Sequence, residues 1–217
     1  MLTVTFTGKT PKDLKLLCIG AHSDDIEIGC GGTVLRLLEE NPNTEVCWVV
    51  FAAAGERKAE ATLSAEKFLA GAKRKDVILR EFRDGYLPYA GAEVKDFFEE
   101  LKRRFSPDLI LTHFREDLHQ DHRLVSELTW NTFRNHLILE YEIVKYDGDL
   151  GAPNYFVHLA EPTVRRKIRL LMECFQTQRD KRWFTEDTFS SILRLRGMES
   201  NAPDRFAEAY YCRKLVY

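Results

Sequence analysis

Two short stretches hold most of the side chains that could do chemistry. One is His22-Ser23-Asp24-Asp25; the other runs from His113 to Arg123 and reads His-Phe-Arg-Glu-Asp-Leu-His-Gln-Asp-His-Arg. Four of the six histidines and four aspartates lie in these two stretches. Imidazole nitrogens and one carboxylate are the ligand set of a hydrolytic zinc centre, which keeps an open position for water and needs a second carboxylate to accept a proton. Adjacent aspartates can divide those tasks: if Asp25 binds an ion, Asp24 is close enough in the chain to reach the water, and the ion's charge keeps both carboxylates ionised. A lone His-x-Asp-Asp in a loop is more often a solvated turn or a helix cap. The second cluster gives the metal reading its weight, provided the fold brings the two together.

The elements around the clusters predict that it does. Leu14 to Gly20 is an apolar run that reads as a strand, followed by a polar loop and the helical pattern Val34, Leu35, Leu37, Leu38. Glu45 to Ala53 reads as a second strand, Arg57 to about Ala72 as a helix, Val77 to Leu79 as a third strand, Val94 to Phe105 as a helix and Asp108 to Thr112 as a fourth strand. Alternation of this kind implies parallel strands joined by crossover helices, so the expected fold class is α/β: a three-layer Rossmann-like sandwich with a mostly parallel central sheet. Each cluster directly follows one of these strands, and ligands of open α/β sheets bind beyond the carboxyl ends of the strands. The second half is less regular. Helices are expected over Arg123 to about Asn135, Pro162 to Phe175 and Thr185 to Arg196, and strands over Tyr141 to Tyr146 and Tyr155 to His158. No low-complexity linker or internal repeat divides the chain, so residues 1–217 are expected to form a single domain.

Composition narrows the function. With 32 basic against 34 acidic residues the net charge is −2, which lacks the positive field of a nucleic-acid binder and fits a small or neutral substrate. No stretch approaches the length of apolar residues that spans a bilayer, and Met1 to Asp13 lacks the pattern of a secretory signal, so a cytoplasmic protein is expected. Five cysteines without a C-x-x-C pair read as reduced and mostly structural. Gly29-Cys30-Gly31-Gly32 offers a rival, a dinucleotide-binding turn, but Val34 stands where a third glycine-like residue is needed and no Walker lysine follows. These glycines are expected to permit close backbone approach to the site and a tight entry into the helix.

Ala21 to Thr33 (Ala-His-Ser-Asp-Asp-Ile-Glu-Ile-Gly-Cys-Gly-Gly-Thr), paired with Asp117-Leu-His119-Gln-Asp121-His122-Arg123, resembles the LmbE-like or PIG-L-type de-N-acetylases, whose motifs are A-H-P-D-D and H-P-D-H-R. The similarity covers roughly residues 14 to 130. It implies one zinc per chain on His22, Asp25 and His122, with another divalent metal such as Fe2+ as the alternative. It also implies Asp24 as general base, His119 as the group that stabilises the oxyanion or protonates the leaving amine, and Asp121 as the residue that orients His119. Arg57, three residues before Glu60, and Asp84 match substrate-contacting positions, and His113 is a further candidate to line the pocket. Ser23 and Gln120 depart from the family's prolines, which bears on loop rigidity and not on the ligands.

The implied reaction is hydrolysis of an N-acyl group on an amino sugar or glycoconjugate, a small-molecule substrate. Rivals on the same site are an amidase of thiol conjugates and a hydratase of an unsaturated acid, for which Arg57, Arg83, Arg115 and Arg123 could hold carboxylates. A non-catalytic carbohydrate-binding domain is the rival of another class, and Asp24 beside the ligands argues against it. Tyr155, Phe156, Arg179, Trp183 and Arg194 are expected to wall the pocket. Nothing in the sequence specifies an interface, and a homo-oligomer stays open.

Overall fold

The computed structural model describes residues 14–216. The reading of Met1 to Asp13 as free of a secretory signal lies outside the described residues. The first strand, β1 (Lys15–His22), is buried on both faces, as a continuous apolar run in a parallel sheet must be. It leads into helix α1 (Asp25–Glu40) and then β2 (Glu45–Ala52), α2 (Glu56–Phe68) and β3 (Arg74–Leu79). A 3-10 turn at Leu87–Ala90 precedes α3 (Gly91–Arg104), β4 (Leu109–His113), α4 (Gln120–Thr132) and β5 (Leu137–Tyr141). The remainder comprises β6 (Tyr155–His158), α5 (Glu161–Cys174), α6 (Glu186–Glu199) and β7 (Ala207–Cys212).

The seven strands form one sheet in the order β3-β2-β1-β4-β5-β7-β6. The first five are mutually parallel, and β7 runs antiparallel to both β5 and β6. Alternate residues of the central strands feed two separate cores. Leu16, Cys18, Trp48 and Val50 pack with α1, α2, α5 and α6, whereas Leu17, Ile19, Val49 and Phe51 pack with α3 and α4. The three-layer α/β sandwich expected from the alternation of elements is therefore present. At the sheet's edge, β3 exposes Arg74, Lys75 and Asp76, charges that discourage pairing with another chain. The strand order reverses between β1 and β4, and the crevice beyond their carboxyl ends is where such sheets bind ligands.

Three local expectations differ from the structure. The strand expected at Tyr141 to Tyr146 lies earlier, at Leu137–Tyr141, because Glu142 and Lys145 leave the sheet to pair with Arg196 and Asp117. Strand β7 has no counterpart in the sequence reading; its second residue, Glu208, is buried, which breaks the apolar pattern. The glycines lie inside α1, not at its entry. A Cβ on Gly29 would sit 2.1 Å from the Tyr141 ring and one on Gly32 2.5 Å from Leu159, so they let the helix approach the sheet and its neighbours.

Candidate metal centre and active site

β1 ends at His22 and β4 at His113, which carries both clusters to the crevice. Asp24 is the residue before the first turn of α1, and Asp25 opens that turn, where its carboxylate accepts the His22 backbone N–H at 2.6 Å. On the other side His119 caps α4: its Nδ1 accepts the backbone N–H of Asp121 at 3.2 Å, and His122 follows within the first turn.

Three donor groups face one another across this crevice. His22 Nδ1 lies 3.1 Å from His122 Nε2 and 3.3 Å from Asp25 Oδ2, and His122 Nε2 lies 3.6 Å from Asp25 Oδ1. Ligands about 2.0–2.1 Å from a tetrahedral ion stand roughly 3.3–3.4 Å apart, so the spacing fits one. The opposite nitrogen of each ring faces a carboxylate: His22 Nε2 lies 3.1 Å from Asp121 Oδ2, and His122 Nδ1 lies 3.0 Å from Asp117 Oδ2. With the ring protons directed to those carboxylates, two lone pairs and the Asp25 carboxylate converge with no donor between them. That donor set fits a divalent cation.

The electrostatics agree. Burial, aided by His113 and His22, pushes His122 down to about 3 against the pull of Asp25 and Asp117, so the ring is neutral and ready to ligate. Burial raises Asp25, but His122, His113 and His22 outweigh it and hold the carboxyl well below its usual range. Burial lowers His22, yet Asp25, Asp121 and Asp84 together raise it well above an ordinary histidine. Glu27, buried in the first turn of α1 with no hydrogen-bond partner for either carboxyl oxygen, is pushed by burial up to about 8.

Around the donors the other expected residues take distinct places. Asp24 is nearly buried and raised by burial, which Arg57 partly opposes through a 2.8 Å ion pair. Arg57 is held in turn by Glu60 at 3.1 Å, and Glu60 also accepts the Thr177 backbone N–H at 2.8 Å and its hydroxyl at 2.7 Å. His119 is lowered by burial and by His22; because its Nδ1 accepts a backbone N–H, its proton resides on Nε2. Asp84 is exposed at the mouth, 3.1 Å from His22 Nε2.

Two placements depart from expectation. Asp121 does not orient His119 with its side chain; the carboxylate accepts the Gly85 and Leu87 N–H groups and serves His22. His113 is fully buried, accepts the Ala21 N–H at 2.9 Å and stacks beneath His122, so it supports the ligands from below and has no face open to substrate. Three of the five C-terminal residues expected to wall the pocket make other contacts: Arg179 donates to the Met172 carbonyl, Arg194 covers Phe206 and Tyr155 packs on Tyr210. Thr177 meets Arg57 instead, its hydroxyl 3.4 Å from the guanidinium, and the charge of Lys181 helps to lower Asp24. Asp117 had a visible signal, five residues before His122 in the same cluster. Thr177 had none.

Residues 17–133, which carry both clusters, match the family model described as PIG-L: GlcNAc-PI de-N-acetylase. The chain belongs to the PIG-L family. Its fold is shared with N,N'-diacetylchitobiose deacetylase from Pyrococcus horikoshii (22% identity, 94% of this chain and 86% of that one, TM-score 0.69). It is shared likewise with teicoplanin deacetylase Orf2 in a zinc-inhibited form (14% identity, 90% and 96%, TM-score 0.69). GalB, the 4-carboxy-2-hydroxymuconate hydratase of Pseudomonas putida, has the same fold (16% identity, 94% and 98%, TM-score 0.74). PIG-L membership supports a hydrolase of the deacetylase type, while the hydratase shows that the fold alone does not fix the reaction. Among the described residues no helix is long and apolar enough to cross a membrane.

Proposed function

We propose that this PIG-L protein hydrolyses the N-acetyl or another N-acyl group of an amino sugar or glycoconjugate, with one divalent ion, zinc in the first place, on His22 Nδ1, Asp25 and His122 Nε2. The observation that carries the reading is the convergence of those three donors beside a second carboxylate, Asp24, which is bound to Arg57 and remains outside the ligand set. A bound ion would supply Lewis acidity, making water a better nucleophile and the acyl carbon a better electrophile at neutral pH.

The chain's own groups complete the chemistry. Asp24 takes a proton from the attacking water as the new C–O bond forms, and its burial raises its affinity for that proton. The proton then passes to the nitrogen as the C–N bond breaks, leaving a carboxylic acid and an amine, which become a carboxylate and an ammonium at neutral pH. His119 directs its Nε2–H at the oxygen that gains negative charge, and being neutral it needs no prior deprotonation. Arg57, paired with Asp24, and Asp84, exposed beside His22, are the groups that meet the hydroxyls of an amino sugar. Residues 1–217 act as one catalytic domain in this proposal. Five unpaired cysteines agree with action in the cytoplasm.

A hydratase on the same site would need cations for its substrate's carboxylates. Arg123 is bound to the Asp117 and Leu118 carbonyls, Arg83 is stacked on Tyr86 and Arg115 lies over Trp130. Arg57 alone of the four faces the site, which favours hydrolysis. The test is a mass-spectrometric screen of zinc-loaded protein against N-acetylated sugars and conjugates, run beside Asp24→Asn. Loss of an acetyl unit is expected, with the variant retaining zinc and turning over about 10²–10⁴-fold more slowly. Normal turnover by Asp24→Asn, or alkene hydration without amine release, would contradict the proposal.

A further inference from the structure

Asp117, Asp147 and Asp149 bring three carboxylates close together at one side of the crevice, an arrangement that could suit a second cation. It is already filled. The ammonium of Lys145 lies 3.0 Å from Asp117 Oδ2, 2.5 Å from Asp149 Oδ2 and 3.9 Å from Asp147 Oδ2, with only 10% of its side chain exposed. The oxygen of Asp117 that meets Lys145 is the one that meets His122 Nδ1 at 3.0 Å. Its other oxygen accepts the His119 backbone N–H at 2.8 Å, so one carboxylate ties together a proposed ligand, the loop before α4 and the lysine. Asp149 closes the link from the far side by accepting the Leu118 N–H at 2.8 Å. The turn that presents Lys145 and Asp149 depends on Gly148, whose φ of 62° suits glycine.

Asp117 and Asp149 are almost fully buried carboxylates, 2% and 7% exposed, that share a single cation. Without it the two would repel each other, and Asp117 would keep only the His119 N–H to hold it against the imidazole. We infer that Lys145 is a positioning residue for the metal centre: it locks Asp117 onto His122 and so sets how tightly the centre holds its ion. This rests on the proposed ligand set of His22, Asp25 and His122, and it adds a group that touches neither ion nor substrate.

The test is titration of ion-free protein with Zn2+ alone against a competing chelating dye. It is run for the wild type, Lys145→Met, Lys145→Arg, Asp117→Asn and the Lys145→Met/Asp117→Asn double variant, with circular dichroism melts of each. Lys145→Met is expected to raise the zinc Kd about 10–100-fold, the range typical of lost outer partners of a ligand, and Lys145→Arg to restore much of it. Because Lys145 acts through Asp117, Lys145→Met should cause no further loss once Asp117→Asn is present. Asp149→Asn, which removes the second anchor of the ammonium, should weaken zinc in the same direction and serves if Lys145→Met does not fold. An unchanged Kd in Lys145→Met, or losses that simply add in the double variant, would overturn the inference. A wild type that binds no zinc would instead overturn the ligand set beneath it.

Discussion

At the level of single residues, the two proposed histidine ligands are prepared in opposite ways. His122 is held neutral, whereas His22 is raised by Asp25, Asp121 and Asp84 to the point of carrying a proton in the ion-free protein. The sign follows from which state binds that proton. In ion-free protein a raised folded pKa gives stability that is complete below the ordinary histidine range and is lost as pH climbs through the raised value. An ion must displace the proton, so its affinity moves the other way. The zinc Kd measured by dye competition is expected to rise about tenfold per unit as pH falls from 8 to 6, with about one proton released per ion. A Kd independent of pH would assign the site to groups that are already deprotonated. The two clusters that meet at the crevice were legible in the sequence because each pairs imidazole with carboxylate, and the proposed ligands among them follow from the resemblance to the PIG-L-type motifs. The partner of Asp121 was not: its contact is with His22, far away in the chain, and only the packing of two loops reveals it.

At the level of elements, the strand-loop-helix order was readable because β1, β2 and β4 are continuous apolar runs with glycine, proline or charge at their ends. Boundaries were less so. The run from His136 to Tyr146 is apolar enough to be a strand anywhere along its length, and side-chain pairing by Glu142 and Lys145 decides where it stops. α1 depends on its glycines in a way that periodicity conceals. Tyr141 is pinned by its hydroxyl to the Ile19 carbonyl at 2.6 Å, and its ring occupies the space beside Gly29. Gly29→Ala gains helix propensity of about 1 kcal/mol but forces the helix off the ring. We expect a net loss of roughly 1–3 kcal/mol, read as a fall of several degrees in the thermal midpoint. A more stable variant would show that α1 has room to shift.

Across the whole molecule, the C-terminal third holds the catalytic half in shape. β7 carries Glu208 under α1, where its carboxylate accepts the Gly32 and Thr33 N–H groups and the Tyr210 hydroxyl. Lys167 of α5 donates to both Glu208 and the Ile28 carbonyl, so one buried ion pair joins α1, α5 and β7. Lys167→Met leaves Glu208 without its cation and is expected to cost about 3–5 kcal/mol in urea unfolding. Adding Glu208→Gln should recover part of that loss, and no recovery would mean the lysine acts by packing alone. This region was the least legible in the sequence: a buried glutamate in a short strand reads as a loop, and Lys167 reads as a solvated helix face until the helix is docked.

The atoms around the ion are identified directly by zinc K-edge X-ray absorption of the loaded protein. Two imidazole rings and otherwise oxygen donors at about 2.0–2.1 Å, with no sulfur, are the predicted result. Sulfur scattering at about 2.3 Å, or a shell of oxygen without imidazole, would contradict it.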